Sequence, residues 1–534
     1  MSIAKPRTGK QLFASGAIVG GCTLLSKATG LFRDMLMAKV FGASAFVDAF
    51  FVALRIPNFF RRTLGEGVFS NAFIPVYAKT IATDQQSSNL LVSEVSVVLS
   101  CTLLSICTLF IVFAPIVITI FAPGFSDNVE QAEAATIMLR CTMPYLFFIS
   151  LSAMLVGILN THNRFVYGAI APTLFNICII GAILIGQYMQ LISLHILYLS
   201  SIAVSLSGLL QWVMLRIAIS KHGHPWIPTL NKSLRHAKEV IRLMLPSMVA
   251  SSAFQINALV DTIIASMLVV GSITWLYYGD RLMEVPLGIF AIAIGSVLLP
   301  ALARSYAVQD TNEFHKTIAW GVRLVLFVSL PSLVGLTILA TPIIQTFFQY
   351  GAFTSLDVKL TAYSLIGYVV GLPALMLIKV YSSAWFALQD SKKPMMAGLL
   401  SLGMHLALSI GVLLTWVLLS GENKPQWLHV LLALATSASA LVNCFLLRQW
   451  LLDNFKEYYK THSDGWDIVP KLTIACIAMA TILLIAKEYI VIADGTFLFR
   501  LIQLTTMITI GTVVFFVTIT LVGINVRLLI TEKQ

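Results

Sequence analysis

Eleven charged side chains sit inside or against long apolar segments of this chain: Lys27, Arg33, Asp34, Asp48, Arg55, Arg61, Arg62, Glu66, Asp280, Arg281 and Glu284. Facing hydrocarbon at the middle of a membrane span, each would cost at least about 2.5–3.5 kcal/mol. Such groups persist where they line a polar interior, and most of these are cationic. A cationic chamber inside a membrane suits an anionic substrate.

Their spacing groups them. In the first segment, SKATGLFRD holds Ser26, Lys27, Gly30, Arg33 and Asp34. Lys27 and Asp34 share a helix face and Arg33 lies about 120° away, so a bend at Gly30 would bring all three to one cavity. The plainer alternative is an Arg33–Asp34 pair snorkelling to the interface. In the second segment Asp48, Arg55, Arg62 and Glu66 are 7, 7 and 4 residues apart, one helical stripe that Pro57 interrupts. Helical rise puts Arg61 and Arg62 about 23 Å along that segment, where they serve a cavity or reach headgroups. In the eighth, WLYYGDRLMEVPLG sets Asp280, Arg281 and Glu284 ahead of Pro286, either as cavity lining or as a local ion-pair cluster. Asp261 and Lys379 are solitary charges in other spans, and His405 is a lone histidine in the eleventh.

The elements that must position these groups are helices. Hydrophobic residues make up 58% of 534 and charged ones only 11%, about half the charge of a soluble domain. Apolar segments fall near 12–41, 46–78, 89–122, 132–159, 165–187, 193–215, 239–269, 273–303, 317–347, 360–388, 394–419, 427–447, 472–486 and 501–526. Each is helical, because lipid offers the backbone no hydrogen-bonding partner. The result is an all-α polytopic membrane protein of about fourteen spans. The basic start followed by an apolar stretch reads as a retained first helix. Lys and Arg concentrate in alternate loops (Arg164, Arg216, Lys221, Lys232, Lys392, Lys393, Arg448 and Lys456 among them), against Lys424, Lys487 and Arg500 on the other side. That asymmetry predicts both termini in the cytoplasm. It also gives the net charge of +11 a home that needs no nucleic acid.

Seven scattered cysteines form no CxxC or Cys/His cluster and read as small buried hydrophobes. There is no GxxxxGK[ST], HExxH or GxSxG. No enzymatic activity or bound cofactor is expected, and uphill transport would draw on an ion gradient (Na+ or H+), the membrane potential or downstream consumption.

The chain repeats itself. FGASAFVDAFF (41–51) parallels VGSITWLYYGD (270–280), FAPGFSDNVEQAE (121–133) parallels FQYGAFTSLDVKL (348–360), and LNTHNRFVYGAIAP (159–172) parallels LQDSKKPMMAGLLS (388–401), at offsets of 227–229 residues. Two six-helix lobes in parallel pseudo-two-fold repeat follow, 1–228 and 229–455, with a C-terminal helix pair at 456–534.

SKATGLFRD, FGASAFVDAFFVALRIPNFFRR, EGVFSNAFIPV, WLYYGDRLMEVPLGIFAIAIGSVLLP and LNTHNRFVYGAIAP resemble the MurJ (MviN) lipid II flippases of the multidrug/oligosaccharidyl-lipid/polysaccharide exporter superfamily. The resemblance implies a central cationic cavity and a groove for the polyprenyl tail in the final helix pair. It implies lipid II as partner, membrane lipids around it, a functional link to peptidoglycan synthases, and a place in the bacterial cytoplasmic membrane. Carried over by motif, the substrate-binding residues are Ser26, Lys27, Arg33, Asp48, Asn58, Arg61 and Arg281, with Asp34 and Glu66 beside them; the helical stripe adds Arg62, which it prefers to Arg61, and the cluster ahead of Pro286 adds Glu284. Lys27 departs from the family's usual Arg, keeping the charge and losing the bidentate fork. Some members resemble sodium-coupled carriers, for which Asp261 would be a ligand, although His405 stands where an Asn or Asp oxygen is wanted. Two alternatives stay open: an exporter of another lipid-linked oligosaccharide or a drug, and a polytopic glycosyltransferase.

Overall fold

The backbone solves its hydrogen bonding internally, and among the described residues no strand occurs. The computed structural model describes residues 9–65, 68–83, 85–221, 235–419, 425–490 and 495–524. Ten helices among them are long and apolar enough to cross a membrane. Four further helical stretches, 9–41, 45–65, 235–267 and 272–307, hold Lys27, Arg33, Asp48, Arg61, Asp261 and Arg281. Large apolar side chains such as Leu104, Ile185, Leu414, Phe445 and Ile477 are largely exposed on the helix surfaces. In water such surface would drive association; in lipid it meets its like.

Packing divides the chain into two compact units, Met1–Ile273 and Thr274–Gln534. The first contains α1 (Gly9–Phe41), α2 (Ala45–Phe60), α3 (Val68–Thr83), α4 (Gln85–Val112), α5 (Ala114–Phe121), α6 (Val129–Thr142), α7 (Pro144–Thr161), α8 (Phe165–Tyr188), α9 (Ser193–Lys221) and α10 (Arg235–Met267). Its core joins Phe73 and Tyr77 of α3, Leu91 of α4, Met154 and Ile158 of α7, Leu215 of α9 and Val240 of α10. The repeat in the sequence places a boundary after the sixth span; packing places it after the seventh, because α10 lies against α3 and α4. Gly124 makes part of this approach, since a Cβ there would sit 2.0 Å from the Ser266 carbonyl oxygen.

The second unit takes α11 (Ser272–Pro286) from Thr274 onward, then α12 (Ile292–Ala307), α13 (Thr311–Ile338), α14 (Ala340–Phe348), α15 (Ser355–Val369), α16 (Leu372–Ala387), α17 (Lys392–Leu418), α18 (His429–Asn454), α19 (Lys456–Tyr459), α20 (Val469–Tyr489) and α21 (Phe497–Leu521). The C-terminal pair α20–α21 belongs to this unit and packs on α13 and α14. The link into α20 is fastened at several points. Arg448 pairs with Asp464 at 2.7 Å and lies 5.0 Å from the Trp466 ring, whose Nε1 donates to Tyr381 Oη. Tyr459, its phenol pushed up by burial, shares a hydrogen bond of 2.8 Å with His315 Nδ1. Gly465 is left-handed at φ 95°, with Ala319 O only 2.5 Å from where a Cβ would be.

Several expected single spans are broken in two. α4 and α5 divide at Phe113, α6 and α7 at Met143, α13 and α14 at Leu339, α15 and α16 near Val370. Gly30, expected as a bend, lies within unbroken α1, beside Asn176 of α8. Pro57 and Pro286 do mark irregularities. Each is followed by a π-helical turn, Arg61–Gly65 and Leu287–Ala291, as a ring without an N–H and a clash with the preceding turn would produce. The repeat extends to backbone conformation. Gly42 and Gly271 are both left-handed, as are Asn163 and Gln389, at close to the same offset that separates the matching strings.

Arg500 was expected on a loop side. It instead lies in the first turn of α21, buried, with Nη1 donating to Gln345 O and Gln349 O at 3.1 Å and the guanidinium 5.0 Å from the Tyr350 ring. It therefore caps the carbonyl end of α14. Charge-assisted bonds of this kind are worth about 1.5–3 kcal/mol each. Arg500→Ala should lower the melting temperature of the purified protein in nanodiscs, with Arg500→Lys recovering part of the loss.

Candidate functional site

In the first unit the expected residues of α1 separate. Arg33 and Asp34 turn inward together, 2% and 4% exposed. Arg33 Nε and Nη2 donate to Asp34 Oδ1 at 2.9 and 2.6 Å, and Nη1 donates to Asn176 Oδ1 at 3.1 Å. The guanidinium lies 5.3 Å from the Phe175 ring. Asn176 completes the node by donating Nδ2 to Ser26 O and to Thr29 Oγ1. The snorkelling alternative fails for this pair, which is sealed between α1 and α8. Lys27 is exposed and takes no place in the node, contrary to the shared face expected of Lys27 and Asp34. A carboxylate next in sequence can fold back onto its neighbour's guanidinium, and wheel angles do not register that freedom.

Asp48 is buried in the first turn of α2. Its Oδ2 accepts from the backbone N–H of Gly271 at 2.7 Å, in the turn after α10. Gly271 is left-handed at φ 95°, the conformation that presents this N–H. Further along, Arg61 Nε donates to Asn58 Oδ1 at 3.1 Å. Arg61 and Arg62 both occupy the π-helical turn and both are partly buried. Glu66 lies outside the described residues.

In the second unit, Arg281 stays on α11 with its side chain 39% exposed, 3.4 Å from Glu284 and 5.7 Å from the Tyr277 ring. That long contact is the local ion pair expected as the plainer reading, and it leaves the guanidinium accessible. Asp261 is buried in α10 of the first unit. His405 is fully buried in α17 of the second, with Nε2 3.4 Å from Thr436 Oγ1. Sodium calls for oxygen ligands, and the imidazole offers nitrogen. Among the described residues no three His, Cys, Asp or Glu side chains are placed to share a metal ion.

Asn176, Phe175 and Gly271 were not singled out from sequence. An amide within the apolar segment 165–187 was the only available signal for the first. The Gly271 contact is made by backbone, which no side-chain pattern announces.

Long kinked helices in two repeated sets, with cations held inside spans, define a polytopic membrane carrier. A solved multidrug transporter of the MATE family in the MOP superfamily, inward-facing, shares this fold at TM-score 0.66 and 12% identity, covering 84% of this chain and 99% of that one. A solved lipid II flippase MurJ in an inward closed conformation aligns at TM-score 0.77 and 28% identity, over 94% of this chain and 98% of its own. Residues 37–524 match the family described as lipid II flippase MurJ. A probable lipid II flippase MurJ of Vibrio cholerae is 36% identical over 486 residues, 89% of either chain. A lipid II flippase MurJ of Burkholderia cenocepacia is 34% identical over 463 residues, 85% of this chain and 86% of its own. The chain belongs to the lipid II flippase MurJ family.

The node around Arg33 yields a direct expectation. Asn176→Leu removes the acceptor on Nη1 and strands donors in a buried site, at about 1–3 kcal/mol. A lowered melting temperature together with weakened complementation is the expected result, while Asn176→Asp, which keeps the acceptor, should retain more of both.

Proposed function

We propose that this protein carries lipid II, the undecaprenyl-diphosphate-linked peptidoglycan precursor, from the inner to the outer leaflet of the bacterial cytoplasmic membrane for cell-wall synthesis. The observation that carries this reading is the family match over residues 37–524. Physical chemistry agrees with it. A diphosphate crossing a bilayer needs charge compensation at membrane depth, and guanidinium groups supply it with bidentate geometry. The polyprenyl tail needs none and stays in lipid. Transport proceeds by alternating access, with both termini cytoplasmic. Drive comes from an ion gradient or the membrane potential, and peptidoglycan synthases consume the product.

Arg33, Arg61 and Arg281 are the proposed diphosphate ligands. Lys27 assists as a point charge, and Asp48 orients the site through its contact with Gly271. Arg33 is committed to Asp34 and Asn176 in this conformation, so it must exchange the carboxylate for phosphate when cargo binds.

Depletion of the protein should trap the precursor facing the cytoplasm. Normal arrival in the outer leaflet, with no redundant carrier active, would defeat the assignment. Arg33→Ala, Arg61→Ala and Arg281→Ala should each abolish complementation at unchanged membrane levels. A charged hydrogen bond of about 1.5–3 kcal/mol corresponds to roughly tenfold or more in affinity. Lys27→Arg should be tolerated. Full complementation by all three alanine variants would make these cations structural. Transport that continues with the two units crosslinked to one another would refute alternating access.

A further inference from the structure

His429 begins α18 and is completely buried. Its Nδ1 lies 2.8 Å from Gln426 O and its Nε2 lies 3.1 Å from Leu360 O, on α15. Both oxygens are backbone carbonyls, which accept and never donate. A neutral imidazole carries one N–H. It would satisfy one carbonyl and aim a nitrogen lone pair at the other, in a site closed to water. An imidazolium carries two N–H groups at the angles both contacts need. We propose that His429 is a proton-binding site, occupied as the imidazolium, and that the bound proton ties the start of α18 and its preceding turn to α15.

Burial opposes this charge, and two charge-assisted bonds together with an electron-rich neighbourhood favour it. The Trp275 ring of α11 lies 5.1 Å from the imidazole at 50°. Trp275 Nε1 donates to Asp357 Oδ1, while Asp357 Oδ2 accepts from Thr354 Oγ1 and N in a capping box at the start of α15. Asp357 is the acidic group on this side. Lys359 of α15 is exposed and turned to the Tyr363 ring at 5.9 Å. On α17 the titratable neighbour is His405, beside Thr436 and seven residues further along α18; Lys379 of α16 is exposed. One connected set, His429–Trp275–Asp357, thus links the proton to α11, the helix that carries Arg281. With both termini cytoplasmic, this end of the second unit faces outward, so the site senses the outer pH.

The sign follows from the geometry. With the proton bound, both ring nitrogens donate and α15 is fastened to the start of α18, Leu360 O accepting from Ser364 Oγ as well. Its loss as outer pH rises leaves one carbonyl facing a lone pair and loosens that end.

The decisive measurement is 15N NMR of histidine-labelled full-length protein in nanodiscs, the His429 ring being assigned by its through-space contact with Trp275. Both ring nitrogens protonated at neutral pH is the expected result. One bare ring nitrogen at neutral and mildly acidic pH would overturn the proposal. A second arm rests on the flippase reading: lipid II translocation followed against outer pH should lose one titrating limb in His429→Gln. A variant profile superimposed on that of the parent protein would overturn the link to transport, whatever the ring's protonation. Absence of translocation in the parent protein would instead count against the flippase reading, and the spectroscopic arm would still decide the proton site.

Discussion

A guanidinium at membrane depth survives only if the protein supplies what water would have supplied. Arg33 shows how this is done here. Asp34 neutralises its charge, Asn176 accepts from its third nitrogen, and Phe175 lies against the cation. Every neighbouring choice serves this node. The Asn176 amide that accepts from Arg33 also ties back to Ser26 O and Thr29. A buried pair of this kind contributes little net stability, yet removing one partner is costly because it leaves a bare charge. The packing of α1 on α8 is therefore fixed by an electrostatic requirement, with apolar contact filling in around it.

The same requirement explains the two irregular helices. A regular α-helix keeps its carbonyls and amides occupied and aims side chains at fixed angles. Pro57 and Pro286 remove a donor, and the π-helical turns that follow re-aim what comes next. In α2 the residues re-aimed are Arg61 and Arg62. In the second unit the turn falls just after Arg281 and Glu284. The two halves of the chain thus place a proline-led distortion beside a cation, and they repeat it with the left-handed glycines Gly42 and Gly271.

Much of this could be read from the sequence, and the failures have physical causes. Span number, helix type, the repeat and the charged segments follow from hydropathy and from the cost of charge in lipid. Lys27 stands outside the node of Arg33 and Asp34, because those two neighbours reach one another through a side-chain freedom that a wheel does not register. A wheel does not choose between Arg61 and Arg62, because both lie in a π-helical turn that changes the angle per residue after Pro57. The repeat and the packing divide the chain at different places, because α10 follows its packing against α3 and α4. Contacts made by backbone, at Gly271 and at Leu360 and Gln426, carry no side-chain signature at all.

The pairing of Arg33 with Asp34 has a consequence for the transport cycle proposed above. A carrier must return empty, and an uncompensated cation facing a low-dielectric interior would raise the barrier of that step. With Asp34 held at 2.6 Å, the empty state carries a neutral pair. Diphosphate binding replaces one anionic partner by another, so the local charge around Arg33 changes least where the dielectric is lowest. Arg281, with its 3.4 Å contact to Glu284 and its side chain 39% exposed, is held far more loosely. If both arginines bind diphosphate as proposed, Arg281 meets it as the more exposed of the two, and Arg33 engages only once the cargo can compete with Asp34.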